Sequence, residues 1–256
     1  MLAIFKKELK SYFINPIGYI YVGIFLAVSA ILCSLTTLLV GSYDVTGYFA
    51  YMMYAFVILI PLLTMRLFAE ERKLRTEQLL LTAPVTITGM VVGKFLAALT
   101  LFASTLLVSC INFIPLYAIA SAEKEQYLAQ SGSGSSGLIY HIGPVTGELV
   151  GCLFSLLLLG AAFIAIGTFI SALTENQLAA AVITIAVILA MVGISVVNNL
   201  IEVYWIRTII SWVSVYARFG NFTNGLFDFA AVFYYLSICA VFVFLTVRVY
   251  EKRRWS

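Results

Sequence analysis

Charge is what this chain has least of. Asp, Glu, Lys and Arg make up 11% of its 256 residues, against 62% hydrophobic. Soluble domains run nearer a quarter charged and half apolar, so this composition excludes a water-facing surface over most of the chain. Histidine is scarcer still. His141 stands alone, which rules out a histidine relay and the H-E-x-x-H zinc motif; beside Pro144 it reads as a loop residue. The four cysteines, Cys33, Cys110, Cys152 and Cys239, lie far apart inside apolar runs. Without a C-x-x-C they make neither a zinc knuckle nor a redox pair, and they read as small buried side chains. There is no G-x-x-x-x-G-K-[ST] either. Gly93-Lys94 comes nearest, but Thr88 holds the upstream glycine position and Phe95 that of the Ser or Thr, so no phosphate cradle of that kind exists. Acids are missing from the middle of the apolar stretches, which counts against an ion-driven carrier. Arg66 and Glu148 fall at stretch ends, where snorkelling accounts for them. Paired acids, a Ser-Lys pair or a metal site inside the stretches would mark an intramembrane enzyme, and none is visible. The reading is a non-enzyme with no catalytic, cofactor-binding or metal-binding residue.

What the chain does have is length of apolar run. A bilayer core of about 30 Å needs roughly 20 apolar residues per helix. Six stretches qualify, at approximately 17–40, 47–69, 91–120, 148–172, 178–200 and 229–249. The first resembles a secretory signal, with Lys6, Lys7 and Lys10 ahead of it and Val28-Ser29-Ala30 as a faint cleavage site. It runs on to about Val40, longer than an h-region, and so reads as a retained span. The third exceeds the minimum, implying tilt, a kink near Pro115 or emergence from the bilayer. The fold class expected is all-α: one polytopic membrane domain over 1–256 with six transmembrane helices. Gly151, Gly160, Ala161 and Gly167, with Ala179, Ala180, Ala181 and Gly193, put small residues at helical spacing. Close helix packing explains them, and a permeation seam is the sharper alternative.

Lys and Arg are distributed unevenly. Placing the N-terminus inside gathers Lys6, Lys7, Lys10, Arg66, Arg72, Lys73, Arg75, Lys94, Arg248, Lys252, Arg253 and Arg254 on the cytoplasmic side and leaves only Lys124, Arg207 and Arg218 outside. That asymmetry predicts a cytoplasmic-membrane protein with both termini in the cytoplasm. Residues 1–14 read as an interfacial helix. Phe5, Leu9, Tyr12 and Phe13 fall on one face, with Lys7 and Lys10 on the other and Lys6 at the border, turned toward anionic headgroups. Asn15-Pro16 ends it. The 70–89 segment is charged and helix-favouring at first, then apolar through Leu79-Leu80-Leu81, and stops at Pro84; Thr86 and Thr88 are candidate caps for the next helix. A plain solvated loop is the bland reading, but exposed leucines in a row want a cover. Residues 121–147 read as an external loop with a flexible Ser/Gly stretch at 131–137, native or engineered. Residues 198–228 are too apolar for a loop and too polar for a span, which suits a re-entrant helical hairpin between spans five and six.

Three stretches together resemble the permease subunits of ABC-2 type transporters, closest to the gliding-motility-associated branch. They are Phe5-Lys6-Lys7-Glu8-Leu9-Lys10-Ser11-Tyr12-Phe13 with Pro16-Ile17-Gly18-Tyr19; Arg66-Leu67-Phe68-Ala69-Glu70-Glu71-Arg72-Lys73 through Thr76-Glu77-Gln78-Leu79-Leu80-Leu81-Thr82-Ala83-Pro84-Val85, ending Gly93-Lys94-Phe95; and Ile166-Gly167-Thr168 through Leu173-Thr174-Glu175-Asn176-Gln177. The second is the most specific. The family usually has Gly before its Thr, where this chain has Arg75. The resemblance implies that 1–14 is an elbow helix and that 70–84 holds the coupling helix, which docks on a separate ATPase through Glu70, Glu71, Arg72, Thr76, Glu77, Leu79 and Leu80. It implies a smaller contact at Glu175 and Asn176, ATP and magnesium bound by the partner and no cofactor in this chain. Its partners would be that ATPase, a second permease copy or paralogous membrane subunit, the lipid bilayer and an extracytoplasmic protein, with no nucleic acid. The function implied is permeation of an unidentified substrate, with export favoured. The alternative is a membrane scaffold in an ATPase-driven mechanical or regulatory complex without transport.

The orientation is directly testable. With single cysteines introduced by Gly134→Cys and Lys73→Cys, an impermeant thiol reagent on intact cells is expected to label position 134 and miss position 73; labelling at 73 from outside would reverse the topology.

Overall fold

The computed structural model describes residues 1–14, 16–76, 86–131, 143–198, 205, 215–223 and 227–255. Among them every regular element is helical: α1 (Leu2–Ile14), α2 (Pro16–Cys33), α3 (Thr46–Thr64), α4 (Ala69–Lys73), α5 (Ile87–Ser109), α6 (Ile114–Ser131), α7 (Thr146–Leu173), α8 (Gln177–Asn198), α9 (Val215–Thr223) and α10 (Phe229–Trp255). A π-helical turn, Ser34–Leu38, prolongs α2, and a 3-10 turn, Cys110–Phe113, joins α5 to α6. Six helical stretches among the described residues are long and apolar enough to cross a membrane: Pro16–Leu38, Thr46–Lys73, Ile87–Gln126, Thr146–Leu173, Gln177–Ile194 and Phe229–Arg254. The chain is an all-α, multi-pass membrane protein.

α7 is the centre. Its side chains are buried almost without a break from Leu158 to Ala172, and it packs against α3, α5, α8, α9 and α10. Small residues make this approach possible, as their spacing suggested. A Cβ on Gly160 would collide with the Phe102 ring, and one on Gly167 with the Thr64 side chain. Phe102 in turn closes an aromatic cluster, 5.2 Å from Phe56 and 6.1 Å from Phe25 between ring centres. The outer spans are one-sided. On α2 Gly18 is buried, then Tyr21, Phe25, Ser29 and Cys33 at four-residue spacing, and Thr37 continues the stripe. Its opposite face exposes Tyr19, Ile20, Ile24 and Ile31, an apolar surface suited to acyl chains rather than water.

The 3-10 turn meets α2. Asn112 Nδ2 donates to Ser29 Oγ at 2.8 Å, and Ser29 Oγ lies 2.8 Å from the Tyr48 hydroxyl. The 3-10 turn comes just before Pro115, whose ring and missing N–H disfavour a regular turn there. The third span does not end where the apolar run ends, however. α6 continues to Ser131, well into the segment expected to be a loop from 121, because Ser121-Ala122-Glu123-Lys124-Glu125 favours helix and carries no breaker. The Tyr43 hydroxyl donates to Glu123 Oε2 at 2.6 Å and braces it.

Contacts place both termini at one end of the bundle. α1 packs on α5, and near the C-terminus Tyr250 lies 5.0 Å from Phe68 while Arg253 Nη2 reaches the Ala172 carbonyl at 2.7 Å. This basic end is opposite the one holding Asp44, Glu123 and Asp228.

The glycine contacts generate a stability prediction. Gly160→Leu and Gly167→Val force a branched or bulky side chain into filled space, and each is expected to cost about 1–3 kcal/mol in thermal unfolding of the detergent-solubilised protein. A methyl group added at Gly193 would meet nothing within 4 Å, so Gly193→Ala should be neutral or stabilising by up to about 1 kcal/mol.

Candidate coupling site at the basic end

The site starts with α1. Ile4 and Tyr12 are its buried residues, with Glu8 on the same side and only 14% exposed. Lys6, Lys7 and Lys10 are exposed, as expected of a polar face. Phe13 is 47% exposed and edge-on to Tyr19 at 6.1 Å, while Glu8 turns inward. Gly18 makes the bend into α2 possible, since a Cβ there would collide with the Tyr12 carbonyl.

Glu8 points inward because Lys94 is there. Lys94, on the second turn of α5, is 1% exposed. Its Nζ lies 2.8 Å from Glu71 Oε1 and 3.2 Å from Glu8 Oε1, and donates to the Leu67 carbonyl at 2.7 Å. An ammonium has three donors, and all three are taken. The ring of Phe68 lies 5.0 Å from the same nitrogen. Three chain segments therefore converge on one buried cation. Arg66 adds a further ion pair beside them, Nε to Glu70 Oε2 at 2.8 Å. It is 9% exposed, so it is a packed residue rather than a snorkelling one. Burial, with Glu8 nearby, holds the Tyr12 phenol far above its ordinary pKa, so it stays a neutral donor.

The second-span exit is tied to α7. Ser171 Oγ accepts from the amides of Phe68 and Ala69 and donates to the Met65 carbonyl. Arg72 pairs with Glu175 at 2.8 Å and donates to the Leu173 carbonyl at 3.0 Å. With Arg253 on Ala172, two arginines thus satisfy carbonyls that the end of α7 leaves without helical partners. Asn176 Oδ1 accepts from Leu178 N at 3.0 Å and starts α8. α4 ends in a Schellman turn: Arg75 N bonds Arg72 O, Thr76 N bonds Glu71 O, and Arg75 has φ +56°. That left-handed position is the one where the resembled family carries glycine, which adopts it without a Cβ penalty. Thr86 caps α5, its Oγ1 accepting from Gly89 N.

Of the residues singled out for coupling, the structure brings together Glu70, Glu71, Arg72, Thr76, Glu175 and Asn176. Glu77, Leu79 and Leu80 lie outside the described residues. Glu70, Glu71 and Arg72 are engaged in internal pairs, whereas Lys73, Leu74 and Arg75 are exposed. Sequence reasoning missed Lys94 and Glu8 as a pair; the available signal was a lysine inside the apolar run Met90–Phe95 and a lone acid among the lysines of α1.

Residues 41–249, well over half the chain, match the ABC-2 family transporter proteins. The chain belongs to this family. No curated protein matches it. The match begins after the first span and covers the second-span exit, Lys94 and the 171–176 turn; α1 and Glu8 precede it. ABC-2 permeases are membrane subunits and not themselves the ATPase, and membership implies an ABC ATPase partner.

The Lys94 cluster predicts a non-additive mutant series. Lys94→Met leaves Glu8 without its counter-ion and Glu71 with only the more distant Lys7, 4.0 Å away, and is expected to cost about 3–5 kcal/mol. Adding Glu8→Gln and Glu71→Gln to Lys94→Met should recover a large part of that loss in a thermal-unfolding cycle. Equal instability of single and triple variants would mean the lysine contributes packing alone.

Proposed function

We propose that this ABC-2 permease moves its substrate outward, driven by a separate ATPase docked on the basic end. The observation that carries the reading is Arg72. It joins α4 to Glu175 and to the last carbonyl of α7, so both candidate ATPase contacts belong to one unit fastened to the central helix. A force applied at 70–84 acts directly on the most buried span. The exposed Lys73, Leu74 and Arg75, followed in sequence by Glu77 and Leu79-Leu80-Leu81, provide charge at the rim and apolar surface for a groove, as docked amphipathic helices do.

The remaining parts of the reading follow. The one-sided distribution of Lys and Arg supports a cytoplasmic basic end in the cell membrane. α1 is the interfacial elbow. α9, with Val215, Phe219 and Phe222 buried, is the inner part of a re-entrant hairpin over 198–228. ATP and magnesium bind the partner, which hydrolyses the nucleotide. A second permease copy or a paralogue completes the path, and an extracytoplasmic protein meets the far end. The three resembling stretches support the gliding-motility-associated branch.

Leu80→Asp and Glu77→Lys test the docking. Burial of one leucine is worth about 1.5–3 kcal/mol, so Leu80→Asp should weaken recovery of the co-expressed ATPase about tenfold or more, and Glu77→Lys less. Membrane insertion should not change. Wild-type ATPase recovery and hydrolysis in both variants would remove 77–81 from the interface.

A further inference from the structure

Between α1 and the second-span exit lies a cavity of about 160 Å³, lined among others by Glu8, Tyr12, Arg66, Glu70 and Lys94. One water needs only about 10–15 Å³ of such space, so the cavity has room for a polar group of several atoms. Its charges balance: Lys7, Arg66 and Lys94 against Glu8, Glu70 and Glu71. Its donors do not. Lys94 is fully engaged and Arg66 Nε is held by Glu70, but Arg66 Nη1 and the Tyr12 hydroxyl are buried with no hydrogen-bond partner. Two donors left unpaired in a charged recess are costly, and both call for an acceptor.

We propose that this cavity is a headgroup site for a zwitterionic phospholipid with a primary amine. The phosphodiester oxygens accept from Arg66 and Tyr12, and the ammonium faces the Glu70 carboxylate, which is one-third exposed. A guanidinium is the side chain best matched to phosphate oxygens. A lining that already sums to zero disfavours a net anion, because no excess positive charge is left to neutralise it. A zwitterion adds no net charge and offers an acceptor and a donor at opposite ends. The setting is amphipathic as well: α1 exposes Leu2, Phe13 and Ile14, an apolar surface on the helix that forms one wall of the cavity, along which acyl chains can lie. The proposal rests on the reading of α1 as an interfacial helix.

Native mass spectrometry of the full chain, released from detergent after equilibration with phosphatidylethanolamine, phosphatidylglycerol or soluble phosphoethanolamine, tests it. One phosphatidylethanolamine per chain should be retained, with phosphatidylglycerol about tenfold weaker and phosphoethanolamine, lacking acyl chains, lost. Tyr12→Phe removes only a hydroxyl that has no internal partner, so the fold should survive; it and Arg66→Lys should each weaken phosphatidylethanolamine retention about tenfold, while Tyr43→Phe at the far end leaves it unchanged. Equal retention of the two lipids, or unchanged retention in Tyr12→Phe, overturns the site. Retention of phosphoethanolamine as strong as that of the lipid overturns the lipid as its source. A depth-sensitive fluorophore at position 13 separates the two readings. A probe inside the bilayer without lipid selectivity defeats the headgroup site alone, and a probe in water defeats the interfacial helix and the site with it.

Discussion

Lys94 sets the arrangement of the basic end. An ammonium withdrawn from water loses several kcal/mol of solvation, and here its return is divided among a carboxylate from α1, a carboxylate from α4 and the carbonyl of Leu67, all at 2.7–3.2 Å. Leu67 and Glu71 belong to one stretch, the second-span exit, so the lysine on α5 joins two otherwise separate pieces of chain, α1 and that exit. The second-span exit fixed in this way then presents Phe68 and Ala69 to Ser171, and Arg72 to Glu175, so the arrangement extends to α7.

Basic residues at this end serve two purposes that composition alone runs together. All contribute to the charge asymmetry that orients a membrane chain. Lys94, Arg66, Arg72 and Arg253 also have fixed internal acceptors, and two of them close the end of α7. The exposed remainder, Lys6, Lys7, Lys10 and Lys73 among them, forms the charged surface of this end. In this ABC-2 permease the positive charge is thus part scaffold and part surface.

The spans were legible because twenty or so apolar residues in a row have few other uses, and the observed stretches begin within about four residues of the expected starts, while the ends of the third, fifth and sixth differ by five or six. In the third the apolar signal stops near Ala120 but the helix does not, since helix propensity and apolarity are separate properties and only the second was used to place the boundary. α1 was readable as amphipathic, yet its inward face depended on a tertiary partner. Glu8 belongs inside only because Lys94 is there, and no periodicity in α1 reveals it. The left-handed Arg75 was foreshadowed by a missing glycine. Ser171 as an acceptor for two amides had no local signal, because its partners lie about a hundred positions away in the chain.

The length of the third span has a mechanical consequence. Forty residues from Ile87 to Gln126, at about 1.5 Å per residue, reach roughly 60 Å, twice the hydrocarbon thickness. One end carries Lys94 and its carboxylates; the other is stayed by the Tyr43 hydroxyl on Glu123. A lever of that length magnifies: a tilt of about 10° pivoting at the anchored foot sweeps the tip through roughly 10 Å, while the lysine that holds the foot scarcely moves.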